Sequence, residues 1–164
     1  MAINENIGAQ SYLQIIQILR DELLSNNNIT TVTVGDITEI DLDKQTIFPL
    51  GHIIVGNANF NSQIIQYDVS ILIMDIVHSD TTTNEPDIYK NDNLLYVQNT
   101  MLNIGNHITD KLCNGSLYDG TTFVERSSVS AEPFKDRFEN LLAGWIFNFT
   151  LTVRNNIDRC NTGS

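Results

Sequence analysis

The side chains best suited to metal binding are those of three histidines, His52, His78 and His107, which are widely separated in the chain. A protein metal site usually takes paired ligands from positions a few residues apart. No such pair accompanies any of these histidines, so the sequence predicts no metal site. Each histidine is predicted to be a structural side chain that is hydrogen-bonded within the protein.

A run of carboxylates, at Asp36, Glu39, Asp41 and Asp43, resembles half of a calcium-binding loop. An EF-hand loop also needs a central glycine and a downstream glutamate at the required offset, and the run lacks both. We therefore predict that these carboxylates lie along the solvated edge of a strand and bind no ion.

The chain carries no motif for nucleophilic catalysis or phosphate binding. It has no Gly-x-Ser-x-Gly turn and no glycine-rich phosphate loop. Its two cysteines, Cys113 and Cys160, share no motif and are predicted to be reduced, structural thiols. A Ser–His–Asp triad leaves no local signature, because its members are distant in the chain. We predict that the protein is not an enzyme and that it binds no cofactor.

Asp75 stands inside the apolar run from Ile71 to Val77. A carboxylate among buried side chains needs a hydrogen-bonding partner or has a shifted pKa. Two interpretations stay open: a hydrogen bond to backbone or to a basic residue of the same chain, or a salt bridge to another subunit. Asp75 is therefore a candidate interface residue. If the protein were instead an enzyme whose catalytic residues are distant in the chain, a strongly shifted pKa of Asp75 would be the simplest indication of it.

The elements that position these residues are predicted from the periodicity of apolar side chains. Two amphipathic helices are expected, at 8–25 and 93–112. Strands are expected at 31–34, 37–42, 47–55, 64–77, 123–129 and 145–153. Residues 56–59 are predicted to form a turn, and residues 133–140 a turn or short helix. This order predicts an α+β fold, with an antiparallel or mixed sheet and two main helices packed on one face.

The strand predicted at 64–77 has two unlike faces. Its odd positions are nearly all apolar, whereas its even positions are polar from Gln66 to Ser70 and apolar from Leu72 to Ile76. One face is therefore buried along its whole length and the other only in its C-terminal half. We expect that half to pack under a helix or against a neighbouring subunit.

A polar loop at 79–93 has almost no apolar content. Long loops in compact domains are often functional, so this loop is a candidate contact arm, with Asn84, Asp87 and Tyr89 as its candidate interface residues. The chain length of 164 residues fits a single domain, and the polar tail at 155–164 is predicted to be flexible.

A second candidate interface contains Phe134, Lys135 and Arg137, which combine an aromatic ring with two basic groups. Aromatic residues and arginine are enriched in binding hot spots. An ordinary charged turn, with Phe134 and Phe138 directed inward, fits the same residues equally well. Both interpretations stay open.

The chain contains 9 basic and 20 acidic residues, which give a formal net charge of −11. Such a surface repels phosphate backbones and anionic lipids, so we expect neither specific nucleic-acid binding nor membrane docking. No apolar run approaches the roughly 20 residues that span a bilayer. The first residues lack the pattern of a secretory signal, and a protein made in the cytoplasm is expected.

Three stretches together carry a resemblance to a known group of proteins. They are Phe48–Val55, Met74–Val77 and Glu132–Trp145, and the last continues through an alternating strand to Cys160. In pattern and order they resemble small structural proteins of tailed bacteriophages, namely tail terminators, tail-completion proteins and neck ring proteins, among them the ring proteins of crAss-like phages. The likeness spans most of the chain.

This resemblance implies a virion protein at the head–tail junction that forms a sixfold or twelvefold homo-oligomeric ring beside portal, neck or tail proteins. An acidic lumen would repel DNA and let it pass without specific binding. The loop at 79–93 would reach a neighbouring subunit or ring, and no cofactor is implied. The alternative, from the residues alone, is a non-catalytic module that binds a small molecule or carbohydrate on the half-polar face of the sheet.

Overall fold

The computed structural model describes residues 10–42, 44–78, 93–114, 122–124, 128–137 and 141–154. Its two α-helices are α1 (Gln10–Ser25) and α2 (Leu94–Asn114). Its strands are β1 (Thr31–Val34), β2 (Leu50–Phe60), β3 (Ile64–Ile76), β4 (Thr122–Val124), β5 (Ser130–Arg137) and β6 (Leu141–Arg154). Two short 3₁₀-helices, Ile37–Glu39 and Gln45–Ile47, lie between β1 and β2.

All six strands in the described residues belong to one mixed sheet. The strand β1 is parallel to β2, whereas β2, β3 and β6 are antiparallel neighbours. Both β4 and β5 pair with β6 along its far edge, β5 with the first part of β6 and β4 with the last. At the centre of the sheet Ile71 is the register partner of Ile53 on one side and of Phe147 on the other.

The two helices cover one face of this sheet, with α1 packed on β1 and β2 and α2 packed on β3 and β6. The apolar stripe of α1, at Ile15, Leu19 and Leu23, is buried, as is that of α2 from Val97 to Leu112. A salt bridge between Glu22 and Lys111 joins the helices near their C-terminal ends. The predicted α+β fold, with a mixed sheet and two helices on one face, is confirmed.

The turn predicted at 56–59 is wrong, because β2 continues through these residues to Phe60. Asn and Gly favour turns locally, but pairing with the long strand β3 outweighs that preference. The register shifts between Val55 and Ala58, where a bulge absorbs one extra residue of β2. The turn lies further on, closed by a hydrogen bond of 2.9 Å from the Asn61 backbone N–H to the Ile64 carbonyl.

Two other predicted elements are corrected. Residues 37–42 form no strand, because the Asp36 side chain caps a 3₁₀-helix there. The turn or helix predicted at 133–140 is the edge strand β5 up to Arg137, where Pro133 is tolerated because one side of an edge strand needs no backbone donors. The strand predicted at 123–129 is confirmed at its start by β4, residues 125–127 lie outside the described residues, and Ser128 lies in a helical turn.

Candidate functional site

An open apolar groove of about 470 Å³ lies on the face of the sheet opposite to the helices. Its floor is formed by β3 and β6, and one wall is formed by the connection between β1 and β2. Its lining side chains are mainly apolar: Ile37, Thr38, Ile40, Asp41, Leu42, Leu72, Met74, Phe134, Leu142 and Ile146. We call this feature the second-face groove.

The connection at 36–49 reaches this face because β1 and β2 are parallel. A parallel pair requires the chain to travel back along the sheet before the second strand begins. On the way, Ile37, Ile40 and Leu42 pack against a buried cluster that contains Met74 and Leu142. The C-terminal half of the second face of β3 is therefore covered by a segment of the same chain.

The wall of the groove begins at a capped 3₁₀-helix. The Asp36 carboxylate accepts a hydrogen bond of 2.9 Å from the Thr38 backbone N–H, and the Asp36 backbone is extended. The Ile40 backbone N–H donates to the Ile37 carbonyl at 3.2 Å, which ends the turn. This short helix places Ile37 and Ile40 in the groove and leaves the Glu39 carboxylate exposed to solvent.

The wall segment of the groove carries three acidic residues. Asp41 lines the groove, and Asp36 and Glu39 are exposed on the same segment. The hydrogen bond from the Thr38 backbone N–H is the main reason why the pKa of Asp36 lies below its usual value, so this carboxylate is charged at neutral pH. Asp43 lies outside the described residues. Within the described ranges, no three potential metal ligands form a cluster.

The two halves of the second face differ as predicted. Met74 and Ile76 are buried under the connection at 36–49, whereas Asp68 is exposed and Ser70 is half-buried. The Ser70 hydroxyl donates a hydrogen bond of 2.6 Å to the Asn148 side-chain oxygen on the neighbouring strand. The second-face groove therefore gives way to a polar surface along the strands towards the β2–β3 turn.

Of the predicted interface residues whose side chains the structure describes, Phe134 is the one that lines the second-face groove. It is half-buried on β5, where its register partner is Gly144. An aromatic ring beside a strand glycine covers the backbone that the glycine leaves open. Phe134 therefore lies in a strand rather than in a turn, with its ring in the wall of an open site.

The other members of that predicted patch do not join it in the groove. Lys135 is exposed and is the register partner of Ala143, whose side chain lies on the helix-covered face of the sheet. Arg137 is the last residue of β5, and its side chain lies outside the described part of the structure. Asn84, Asp87 and Tyr89 also lie outside the described residues.

Asp75 lies away from the second-face groove, on the helix-covered face. It borders a separate cavity of about 400 Å³ between the end of α1 and the start of α2, together with Asn28, Asn93 and Tyr96. Its carboxylate accepts a hydrogen bond of 2.8 Å from the Ile76 backbone N–H. Partial burial raises the pKa of Asp75 above its usual value. The structure thus shows the predicted backbone hydrogen bond, whereas the intersubunit salt bridge stays a prediction.

Replacing Asp75 with asparagine is expected to raise the free energy of unfolding at neutral pH. A carboxyl group whose pKa is raised on folding is destabilising when ionised, and this cost disappears as the pH falls below its ordinary value of 3.8. The asparagine side-chain oxygen can still accept from the Ile76 N–H. Denaturant unfolding at neutral and acidic pH should show that the advantage of Asp75→Asn shrinks on acidification. A variant that is less stable at neutral pH would contradict this account.

His52 has a structural position at the end of the sheet. Its side chain is fully buried, and its Nδ1 lies 2.7 Å from the Thr33 hydroxyl while its Nε2 lies 3.0 Å from the Gly35 carbonyl. The carbonyl can only accept, so Nε2 carries the proton and Nδ1 accepts from Thr33. Both ring nitrogens are engaged, and the ring connects β2 to β1 and to the residue that follows it. Burial lowers the pKa of His52.

Acidification is expected to destabilise the fold through His52. A histidine whose pKa is lowered on folding contributes stability above its unfolded value, and this contribution is lost as the pH falls below 6.5. Between neutral pH and about pH 5, denaturant unfolding should show that the free energy of unfolding falls more for the wild type than for His52→Gln. Equal losses in the two proteins would contradict the assignment.

Sequence reasoning did not find the groove. It located the apolar half of β3, with Leu72 and Met74, but it assigned Ile37 and Ile40 to a strand. Their separation by three residues, after an aspartate that can cap a helix, is the signal that would have indicated a helical turn. No sequence pattern brings Phe134 to the same place, because that depends on the pairing of β5 with β6.

No protein-family model matches the chain, and no curated protein is significantly similar to it. In the part of the chain that the structure describes, neither helix combines the length and the apolar character needed to cross a membrane.

Proposed function

We propose that this chain is a structural virion protein that forms a ring around the DNA channel at the head–tail junction of a tailed phage, as a neck or tail-terminator subunit. The proposal starts from the resemblance carried by Phe48–Val55, Met74–Val77 and Glu132–Trp145. The observation that supports it is the second-face groove, an apolar surface open to a partner. No catalytic role and no cofactor are part of the proposal.

Ring formation needs an attraction that is stronger than the repulsion between copies. Each copy has a formal net charge of −11, so electrostatics opposes self-association. Burial of apolar surface is the remaining general driving force. The lining of the second-face groove and the exposed side chain of Phe60, which is 71% accessible, provide such surface.

The same charge suits a channel for DNA. A ring whose lumen is acidic repels the phosphate backbone, so that the genome slides past without specific binding. The portal and the adjacent neck or tail proteins are the proposed neighbours in the particle. Reversing the charge of lumen-facing acidic residues should then slow DNA ejection, and unchanged ejection would contradict this part of the proposal.

Sedimentation and negative-stain electron microscopy of the purified full chain test the ring directly. We expect closed particles of six or twelve copies of the 18.4 kDa chain, favoured by high salt because screening weakens the repulsion between copies. A protein that stays monomeric at every concentration and salt level, with no particle visible by microscopy, would contradict the proposal.

The groove also favours a second candidate function, a non-catalytic module that binds a small apolar molecule. Its volume of about 470 Å³ falls in the usual range of ligand pockets, and Thr38 and Asp41 are polar groups that could orient a ligand. Native mass spectrometry distinguishes the candidates. A small molecule bound at one per chain, and lost in Thr38→Trp, would favour the binding module over the ring.

A further inference from the structure

One large apolar side chain projects from the sheet at the end opposite to the groove. Phe60 is the last residue of β2, directly before the β2–β3 turn, and 71% of its surface is accessible. The backbone of this hairpin end is held by the pairing of Phe60 with Ile65 and by the hydrogen bond from Asn61 to Ile64. Phe60 is therefore an aromatic side chain presented on an ordered strand end.

Phe60 cannot reach the second-face groove of its own chain. The groove is floored by Leu72 and Met74, whereas Phe60 lies beside Ile65. From Ile64 to Leu72 an extended strand covers about 26 Å, at roughly 3.3 Å per residue. If Phe60 enters a groove of this kind, the groove belongs to a second molecule.

The hairpin end and the groove are compatible in charge. Asp41 lines one wall of the groove, and Asp36 and Glu39 are exposed on the same segment, so an acidic segment would be repelled from this wall. The hairpin carries no charged residue between Gly51 and Tyr67, although the chain contains 20 acidic residues. Its amide side chains, Asn59, Asn61 and Gln63, are donors that can hydrogen-bond to carboxylates.

The groove is also large enough. A cavity of about 150 Å³ lined by apolar side chains accommodates a benzene molecule, and the second-face groove has about 470 Å³. A phenyl ring therefore fits together with part of the hairpin backbone. The lining also contains two polar residues, Thr38 and Asp41.

We propose that Phe60 of one copy inserts into the second-face groove of the next copy. The two surfaces lie at different places on the molecule, so the contact is heterologous, and its repetition closes into a ring when the rotation between neighbours allows it. This inference rests on the proposed ring function and names the surfaces that build the ring. Phe60 is the inserted side chain, and Ile40, Leu72 and Phe134 are among the residues that receive it.

Replacing Phe60 with serine in the full chain tests the inserted side chain. Burial of one phenyl ring per contact predicts self-association weaker by at least about tenfold, as measured by sedimentation. The matched control is Leu13→Ser, which removes another exposed apolar side chain, on α1, and should leave self-association unchanged. Circular dichroism confirms that both variants fold.

Cross-linking tests the receiving surface. In a Cys160→Ser background, an Asn61→Cys protein, which keeps Phe60, is mixed with a Thr38→Cys protein and treated with a short bis-maleimide reagent; Asn61 is exposed and Cys113 is buried. The proposal predicts a mixed cross-linked dimer and little product from either protein alone. Dimers of the Asn61→Cys protein alone would indicate a twofold contact and would overturn the proposal.

The outcomes separate this inference from the ring function. Rings that form equally well with Phe60→Ser, without a mixed cross-link, would overturn the inference and leave the ring function standing. A wild type that does not assemble at high concentration, together with no cross-link between the two cysteine variants, would contradict both. A small molecule found in the groove by native mass spectrometry would overturn the inference as well, because it would occupy the site of Phe60.

Discussion

Replacing Gly144 with alanine is expected to lower the free energy of unfolding by about 3 kcal/mol or more. A β-carbon at this position would lie 2.0 Å from the Ile73 carbonyl oxygen and 2.8 Å from the Met74 α-carbon. Both atoms belong to the backbone of β3, which pairs with β6 through Gly144. Backbone atoms, unlike side-chain atoms, cannot make room by a change of rotamer. The hydrogen-bonded ladder between β3 and β6 must therefore open locally. Denaturant unfolding of the full chain measures the loss.

Gly56→Ala is the matched control for this change. Gly56 also lies in a strand, but a β-carbon there would be 3.4 Å from the nearest atom, the Asp68 carbonyl oxygen, which is ordinary contact. We expect a change in the free energy of unfolding within about 1 kcal/mol for this variant. A Gly144→Ala protein as stable as Gly56→Ala would contradict the close approach of β6 to β3.

Replacing Gly105 with alanine is expected to cost about 3 kcal/mol as well. Gly105 is buried in α2 and faces β6, and a β-carbon there would lie 2.0 Å from two carbon atoms of the Phe147 ring. Phe147 is itself buried in the core, so its ring can move away only by displacing the side chains packed around it. The helix must therefore move away from the sheet, and the packing between α2 and the sheet is lost in part.

A double-mutant cycle tests this contact. Phe147→Leu removes ring atoms and creates space beside Gly105, so the two substitutions together should cost clearly less than the sum of the single losses. Residues in direct contact typically show interaction energies of about 0.5–3 kcal/mol in such cycles. If the two losses are simply additive, the contact between Gly105 and Phe147 is not the cause of the destabilisation by Gly105→Ala.

Elements with a strong apolar period were predicted well from the sequence. The stripe of α1, the alternation in β3 and the aromatic alternation in β6 each determine which side is buried, whatever the rest of the fold does. The Trp145 side chain, at one end of this alternation, packs against the core, and its Nε1–H donates to the Gln98 carbonyl at 2.8 Å.

Elements that depend on distant partners were not predicted. The strand β5 contains Pro133 and several charged residues, and only its pairing along the edge of β6 makes it a strand. The continuation of β2 beyond Val55 likewise depends on the length of β3. The second-face groove combines residues near 40, 72, 134 and 146, whose proximity follows from sheet order rather than from any local pattern.

The two faces of the sheet differ in how they are covered. The helix-covered face contains the main core and holds the protein together, through contacts such as that between Gly105 and Phe147. The other face carries a smaller apolar cluster under the connection at 36–49 and leaves the groove open beside it. Substitutions on the first face should therefore act on stability, and those at the groove or at Phe60 should act on assembly.

Quantitative mass spectrometry of purified phage particles that encode this chain tests the proposed function most directly. The copy number of the chain is measured relative to the portal protein of the same particles. The proposal predicts a fixed, low copy number in a simple ratio to the portal, as expected for one ring. Absence of the chain from the particles would contradict its role as a virion component and would favour the small-molecule-binding alternative.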